Sequence, residues 1–412
     1  MWKQPWGYAE GAVICSGLFI TGTALQFTTG PVNANLFQYP INLLFGIFYM
    51  VCMIVLHLNK KKSAAIRWLS GMEASITSIV AFLVMVLIMG VTAQTPQGAT
   101  VEEKDFLTNL GFRQLTNSWS FVLIFLYMLT VLLLTTLRKT LKYKTGNIGF
   151  LLNHAGLSIA LWGAILGSGD LQRLHMVTQT GTPEWRATDS KGNITELPLA
   201  IQLEKFSIEE YPPKVMVIDN TTGMTLPSGN PSMLAMENDS LQGRLMDWQL
   251  SGTQYLPMAA WVQGKYVPFQ NEGATTAVYV KAKQIKTGIV KEGWISYGSF
   301  MFPHQALELD NQHSLVMPPL EPKRYVSEVT IFTEDGKSIP ATIEVNKPIK
   351  VNGWKIYQLS YDETMGKWSR TSTFELVRDP WLPVVYTGIT MMLLGAVYLF
   401  AFAKIGDRKS VV

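Results

Sequence analysis

Long apolar runs separated by short polar loops fill the first 167 residues and return after residue 380. A helix needs about 20 largely apolar residues to cross a hydrocarbon core. That criterion predicts spans at 8–27, 41–58, 73–93, 119–137, 147–167 and 381–403. Between the fifth and the sixth, the pattern shifts to the shorter alternation of strands. Residues 199–208, 214–219 and 276–290 read as strands, and 220–256, rich in Gly, Ser, Asn, Pro and Met, reads as long loops. The alternation is plainest over 323–378. Tyr325, Val329 and Ile331 run into a turn at Glu334-Asp335-Gly336-Lys337, and Ile339–Val345 returns from it. Asn352-Gly353 is a strong hairpin signal, followed by alternation in Trp354–Leu359 and a last strand at Thr373–Val377. The expected fold class is an α-helical polytopic membrane bundle of six spans with a large β-rich extracytoplasmic domain. Its sheet closes on itself or packs as a sandwich.

Charge orients the spans. Lys60, Lys61, Lys62 and Arg67 follow the second span, Arg138, Lys139, Lys142 and Lys144 the fourth, and Lys404, Arg408 and Lys409 the sixth. Residues 28–40 contain no Lys or Arg, and 94–118 contain only Lys104 and Arg113. The positive-inside rule then places both termini in the cytoplasm and 168–380 outside, with Trp119, Trp381 and Tyr386 in the outer interfacial belt. Charged residues are 16% of the chain, against about 25% in soluble domains. Residues 168–380 carry 20 Lys/Arg and 24 Asp/Glu, a net of −4, and the remainder carries 14 and 6, a net of +8. An acidic domain on a basic-flanked membrane part gives no reason to expect nucleic acid as a partner.

Cys15 and Cys52 are the two cysteines, both inside apolar runs, and no CxxC occurs. The β-rich domain therefore has no disulfide framework, and thiol exchange is excluded. No cleavable leader is expected, because the first apolar run is followed by further spans without a small-residue cleavage pattern. Gly-rich phosphate loops, GxSxG and HExxH are absent, which removes the common soluble-enzyme chemistries.

Of the five histidines, His57 ends the second span beside lysines and reads as interfacial, and His175 reads as a solvated residue just past the fifth. His304 and His313 lie in a Pro-rich loop without ligand spacing. His154 differs. Seven residues past Asn147, it sits about 10 Å along the helix, in the inner part of the bilayer. Ionisable side chains at that depth are costly and usually face a cavity, a partner or a cofactor. Two readings stay open on the residues alone: a packing histidine bonded across the bundle, or a metal ligand, since imidazole is a standard axial ligand of haem iron. Ala155, Gly156 and Ser158 are small enough for a macrocycle or a second helix to approach. At the level of the whole chain, a membrane-anchored receptor with a β-rich ectodomain is an alternative. A secondary transporter is another, but no inverted repeat is visible and the other spans lack a central ionisable residue.

The stretch Tyr325-Val326-Ser327-Glu328-Val329, then Glu344-Val345-Asn346-Lys347-Pro348, then Gly353-Trp354-Lys355-Ile356-Tyr357-Gln358-Leu359-Ser360-Tyr361-Asp362, and Asp379-Pro380 entering the last span, resembles the ResB (CcsB) family. These are membrane subunits of system II cytochrome c maturation. Asn117-Ser118-Trp119-Ser120-Phe121 and Leu152-Asn153-His154-Ala155-Gly156-Leu157 are similar to it as well. The similarity covers about residues 73–403. The resemblance implies four domains: 1–72, an N-terminal two-span addition; 73–167, a three-span membrane core; 168–380, the extracytoplasmic β-rich domain; and 381–412, the final span and a short tail. It further implies that the chain moves haem b across the bacterial inner membrane with a CcsA/ResC-type partner, delivering it to apocytochrome c. The β-rich domain would shield the outer haem site or steer the apocytochrome. By position in the family, His154 is an axial ligand of the haem iron, with no catalytic residue in this chain. The tryptophan-rich haem-handling segment of the CcsA half is missing here. The chain then resembles a stand-alone accessory subunit of a holocytochrome c synthase, working among membrane lipid.

Overall fold

A computed structural model of the chain describes residues 4–61, 63–95, 105–140 and 147–402. Lys62, Lys104, Lys142, Lys144, Lys404, Arg408 and Lys409, used above to orient the spans, lie outside the described residues. The chain divides into two compact units, one holding the helices and one running from Leu174 to Leu376 apart from a short turn.

Six helices among the described residues are long and apolar enough to cross a membrane. They are α1 (Tyr8–Thr29), α2 (Ile41–Leu58), α3 (Met72–Val91), α4 (Trp119–Thr140), α5 (Ile148–Gly167) and α6 (Leu382–Phe402). Each falls on a predicted span, because uninterrupted apolar sequence has only the helix available to satisfy its backbone in lipid. The most buried of them is α4, which packs against α1, α2, α3 and α5. Tyr49 and Met53 of α2, Leu129, Leu133 and Leu134 of α4, and Trp162 and Leu166 of α5 form one cluster. Met85 of α3, Ile124 of α4 and Leu115 form another, against Leu18 and Phe19 of α1. The first two helices are thus built into the bundle.

One polar node joins α2, α5 and α6 at the end from which the chain leaves for the β-rich unit. Asn42, fully buried, donates from Nδ2 to the Leu166 carbonyl and to Asp170 Oδ2, each at 2.7 Å. Trp381 Nε1 donates to the same carboxylate oxygen at 2.7 Å, and the Tyr39 N–H donates to Oδ1 at 2.7 Å. Burial pushes the Asp170 carboxyl up, but these three hydrogen bonds outweigh it and hold it below the ordinary aspartate value. The residue therefore stays a carboxylate, which lets it bind three donors at once.

Contact between α5 and α6 depends on missing side chains. A Cβ on Gly156 would lie 2.6 Å from the Gly388 carbonyl oxygen, and one on Gly388 would lie 2.5 Å from Ala160 N. Small residues at such crossings bring helix backbones together where lipid supplies no hydrophobic drive. Asp379 starts α6: its Oδ1 accepts from the N–H groups of Trp381 (3.1 Å) and Leu382 (3.0 Å), as an N-terminal capping carboxylate does.

The second unit is built of antiparallel strands. They are β1 (Gln172–Gln179), β2 (Pro183–Thr188), β3 (Ile194–Glu210), β4 (Lys214–Asp219), β5 (Met233–Ala235), β6 (Gln242–Leu245), β7 (Trp248–Val262), β8 (Lys265–Pro268) and β9 (Thr275–Gln284). After them come β10 (Val290–Ser296), β11 (Leu307–Glu308), β12 (His313–Val316), β13 (Pro322–Thr333), β14 (Ser338–Glu344), β15 (Ile349–Val351), β16 (Trp354–Tyr361) and β17 (Thr371–Arg378). Eight strands in the order β14-β13-β3-β2-β1-β17-β16-β15 form one sheet. It curls until β14 touches β16, around a core that includes Met176, Ile201, Leu203, Ile331, Ile343, Ile356 and Phe374. The chain between β3 and β13 forms a separate sandwich. A five-stranded sheet, β10-β9-β7-β6 with β8, faces a four-stranded one, β11-β12-β4-β5, across Val215, Val217, Trp248, Val280, Ile295 and Leu315. Of the two alternatives open on the sequence, the sandwich is present; the eight-stranded sheet curls but keeps β14 and β15 as its edge strands.

Two strand expectations need correction. The predicted strand 276–290 is broken after Gln284, where Gly288 takes φ +73° in the turn before β10. The predicted loop 220–256 contains β5, β6 and the start of β7. Its turn-forming residues sit at irregularities in pairing instead: β7 shifts register against β9 between Gly252 and Gln254 and again between Leu256 and Ala259. Such bulges absorb glycine and proline within a continuing strand.

Candidate functional site

Helix geometry determines where His154 points. The close face of α5 repeats at Gly149, Gly156 and Gly163, each against α6. Two residues from Gly156, at about 100° per residue, His154 stands roughly opposite that face. The tertiary structure thus separates the small residues from the histidine. Gly156 packs a second helix and is not free to admit a macrocycle.

The imidazole is half-buried. Its Nδ1 lies 3.0 Å from the Phe150 carbonyl oxygen, one turn back. A carbonyl only accepts, so Nδ1 carries the proton and the neutral ring leaves its lone pair on Nε2. This tautomer-setting bond is the one that orients metal-ligating histidines. The Phe150 ring stacks on the imidazole, with centroids 3.7 Å apart and planes 21° off parallel. Lys139 Nζ lies 5.5 Å from the centroid of the Phe150 ring. The Ser158 hydroxyl donates to the His154 carbonyl at 2.7 Å and so is turned onto the backbone. Among the described residues no group of three His, Cys, Asp or Glu side chains converges as a metal site. What the chain offers is one imidazole nitrogen with a fixed tautomer and a stacked ring. That fits a haem iron whose other axial ligand comes from elsewhere.

The remaining histidines lie apart. His57, in the last turn of α2, is 3% exposed, and its Nε2 accepts from Lys60 Nζ at 2.8 Å. His175 is exposed on β1 rather than in a loop. His313 opens β12 and bonds through Nδ1 to the Asp310 carboxylate at 2.9 Å.

The motif residues that carry the family resemblance hold the curled sheet together. Ser327 of β13, Gln358 of β16 and Ser372 of β17 form a buried network. Ser327 donates to Gln358 Oε1 at 2.6 Å, and Gln358 Nε2 donates to the Ser372 hydroxyl at 2.9 Å. Tyr361 stacks on Phe206 at 4.9 Å and lies 5.5 Å from Tyr325. Asn352 (φ +47°) and Gly353 (φ +82°) make the hairpin turn in the left-handed region the sequence called for. Glu344 is held down to about 2 by the hydrogen bond from Arg324 and then by the one from Lys347.

The chemistry that sequence reasoning missed lies beside this motif. In the loop after β16, Lys367 donates to Glu210 Oε2 at 2.9 Å, both side chains 19% exposed. Burial works against the Lys367 ammonium, but the Tyr297 hydroxyl and Glu210 outweigh it and raise its pKa above the ordinary lysine value. The signal was the cation itself: Met365-Gly366-Lys367-Trp368 places a lysine between turn and aromatic residues.

Residues 271–371 match the model of the ResB-like family. The matched stretch contains the Tyr325–Val329, Glu344–Pro348 and Gly353–Asp362 segments and does not reach α5. No curated protein matches the chain significantly.

Proposed function

Membership of the ResB-like family is the premise from which we propose that this chain is an accessory membrane subunit of cytochrome c biogenesis. With a CcsA/ResC-type partner it carries haem b across the bacterial inner membrane and presents it for attachment to apocytochrome c. One observation carries the reading: an imidazole within a membrane span whose Nδ1–H is committed to the Phe150 carbonyl, leaving Nε2 as the open nitrogen. His154 supplies one axial ligand. Phe150 restrains rotation of its ring, and a neutral imidazole adds no charge to an apolar site. When bound, haem supplies the groups with which the thiols of the acceptor's CxxCH segment form thioethers. This chain contributes no thiol to that step, since Cys15 is buried within α1 and Cys52 lies within α2. The second axial ligand is assigned to the partner.

Expressed alone, the chain is expected not to mature a reporter cytochrome c. Co-expressed with a CcsA-type subunit, it should co-purify with haem that shows the visible spectrum of a bis-imidazole complex. Robust covalent attachment in a host lacking any CcsA-type protein would contradict the division of labour.

In this reading 168–380 lies on the periplasmic side and both termini are cytoplasmic, from the loop charges. A reporter active only outside the cytoplasm should be active when fused near Gly264 and inactive near Lys139. Activity at Lys139 overturns the orientation.

A further inference from the structure

Two cavities of about 300 Å³ and 410 Å³ lie side by side in the β-rich unit. Glu210, Lys367 and Leu320 line both, so the ion pair is the ridge between them. The first is walled by Tyr297, Phe300, Tyr325 and Tyr361. The second is walled by Tyr211, Pro212, Pro257 and Met258. Volumes of this size fall at the lower end of the range of ligand sites. Two chambers in a row, divided by a ridge, suit a chain that sets down successive side chains better than one compact ligand. Walls of tyrosine and proline take an extended backbone, which keeps its own conformation while its side chains enter pockets.

The walls also carry charge. Glu363 lines the first cavity, Asp239 the second and Glu210 both, against the single ammonium of Lys367. Lys367 Nζ already lies 6.0 Å from the Tyr297 ring centroid and 5.9 Å from that of Trp368. These rings are thus already engaged by a cation of the chain itself. The excess of carboxylates over the one ammonium favours a positively charged occupant.

We propose that this double cavity is a docking groove for an extended, lysine- or arginine-bearing polypeptide segment. The inference rests on the haem-delivery reading for why an unfolded chain should be held here, while its test involves no haem.

The full chain, purified in nanodiscs, is titrated against two fluorescein-labelled peptides of about 16 residues by anisotropy. Both have a Gly/Ser/Pro backbone; one carries four lysines and the other four glutamates. The lysine peptide should bind at least about tenfold more tightly, and its affinity should fall as salt is raised from about 50 to 300 mM. Asp239→Asn combined with Glu363→Gln, both exposed positions, should weaken the lysine peptide about five- to tenfold without moving the melting temperature. Equal binding of the two peptides, or unchanged affinity in the double variant, overturns the groove. His154→Ala should leave peptide binding intact. Peptide binding without haem binding in the partnered protein would sink the delivery reading alone, and haem binding without peptide binding would sink the groove alone.

Discussion

Replacing His154 by alanine is expected to strip haem from the partnered protein and abolish cytochrome c maturation. On the haem-delivery proposal the iron would lose an axial bond inside an apolar site, where no water replaces it well. Changing a group that merely orients a ligand typically costs 10- to 100-fold in metal affinity, so losing the ligand should cost at least about tenfold in haem content. Added imidazole should restore part of both, by filling the vacant position. The fold should survive, because the residue is half-buried and alanine is the best helix former. A histidine that served packing alone predicts a different pattern: a lower melting temperature, normal haem per folded molecule and no rescue. His304→Ala is the appropriate control, since His304 is exposed. His57→Ala is a poor one, because that ring is buried and bonded to Lys60. Full haem and full maturation in the His154→Ala protein would end the reading of α5 as a ligand helix.

Replacing Gly156 by leucine should damage assembly of the bundle. Its first added carbon would lie 2.6 Å from a backbone carbonyl oxygen and 2.9 Å from the backbone nitrogen of Met392. Neither atom can move without moving α6. Overpacking in cores costs about 1–3 kcal/mol when side chains can adjust, and here backbone must adjust instead. The chief packing partner of α6 is α5, so separation leaves the last span with little to hold it. A fall of several degrees in the melting temperature of the detergent-purified protein is expected, together with a lower yield of monodisperse material. Gly17→Leu is the matched comparison, because nothing lies within 4 Å of a Cβ there. Equal stability of the two variants would show that α5 and α6 do not meet through these glycines.

Much of the architecture was legible along the chain. The six spans follow from apolar run length, because lipid leaves the backbone no partner but itself. The hairpin at Asn352-Gly353 was equally legible, because few residues tolerate the positive φ it requires. Asp379-Pro380 reads from sequence as a signature; the capping bonds to Trp381 and Leu382 say why an aspartate stands there. Less legible was 220–256, where turn-forming composition belonged to bulges and short strands. Local residue preference does not know that β9 will supply a partner to carry β7 past Gly252 and Pro257.

By itself, then, the sequence determined which segments are helical spans, where the strands of 323–378 run, and that one span holds a histidine. These follow from local periodicity and from the fixed thickness of the hydrocarbon core. Tertiary structure decided the rest. It turned Gly156 toward α6 and His154 away from it, assigned the Nδ1 proton through the Phe150 carbonyl, and drew Asn42, Asp170 and Trp381 into one node. It also brought Glu210 to Lys367 across 157 positions of the chain. The physical reason is the same in each case: a hydrogen bond or a steric contact depends on distance in space, and spacing along the chain limits that distance only within an element.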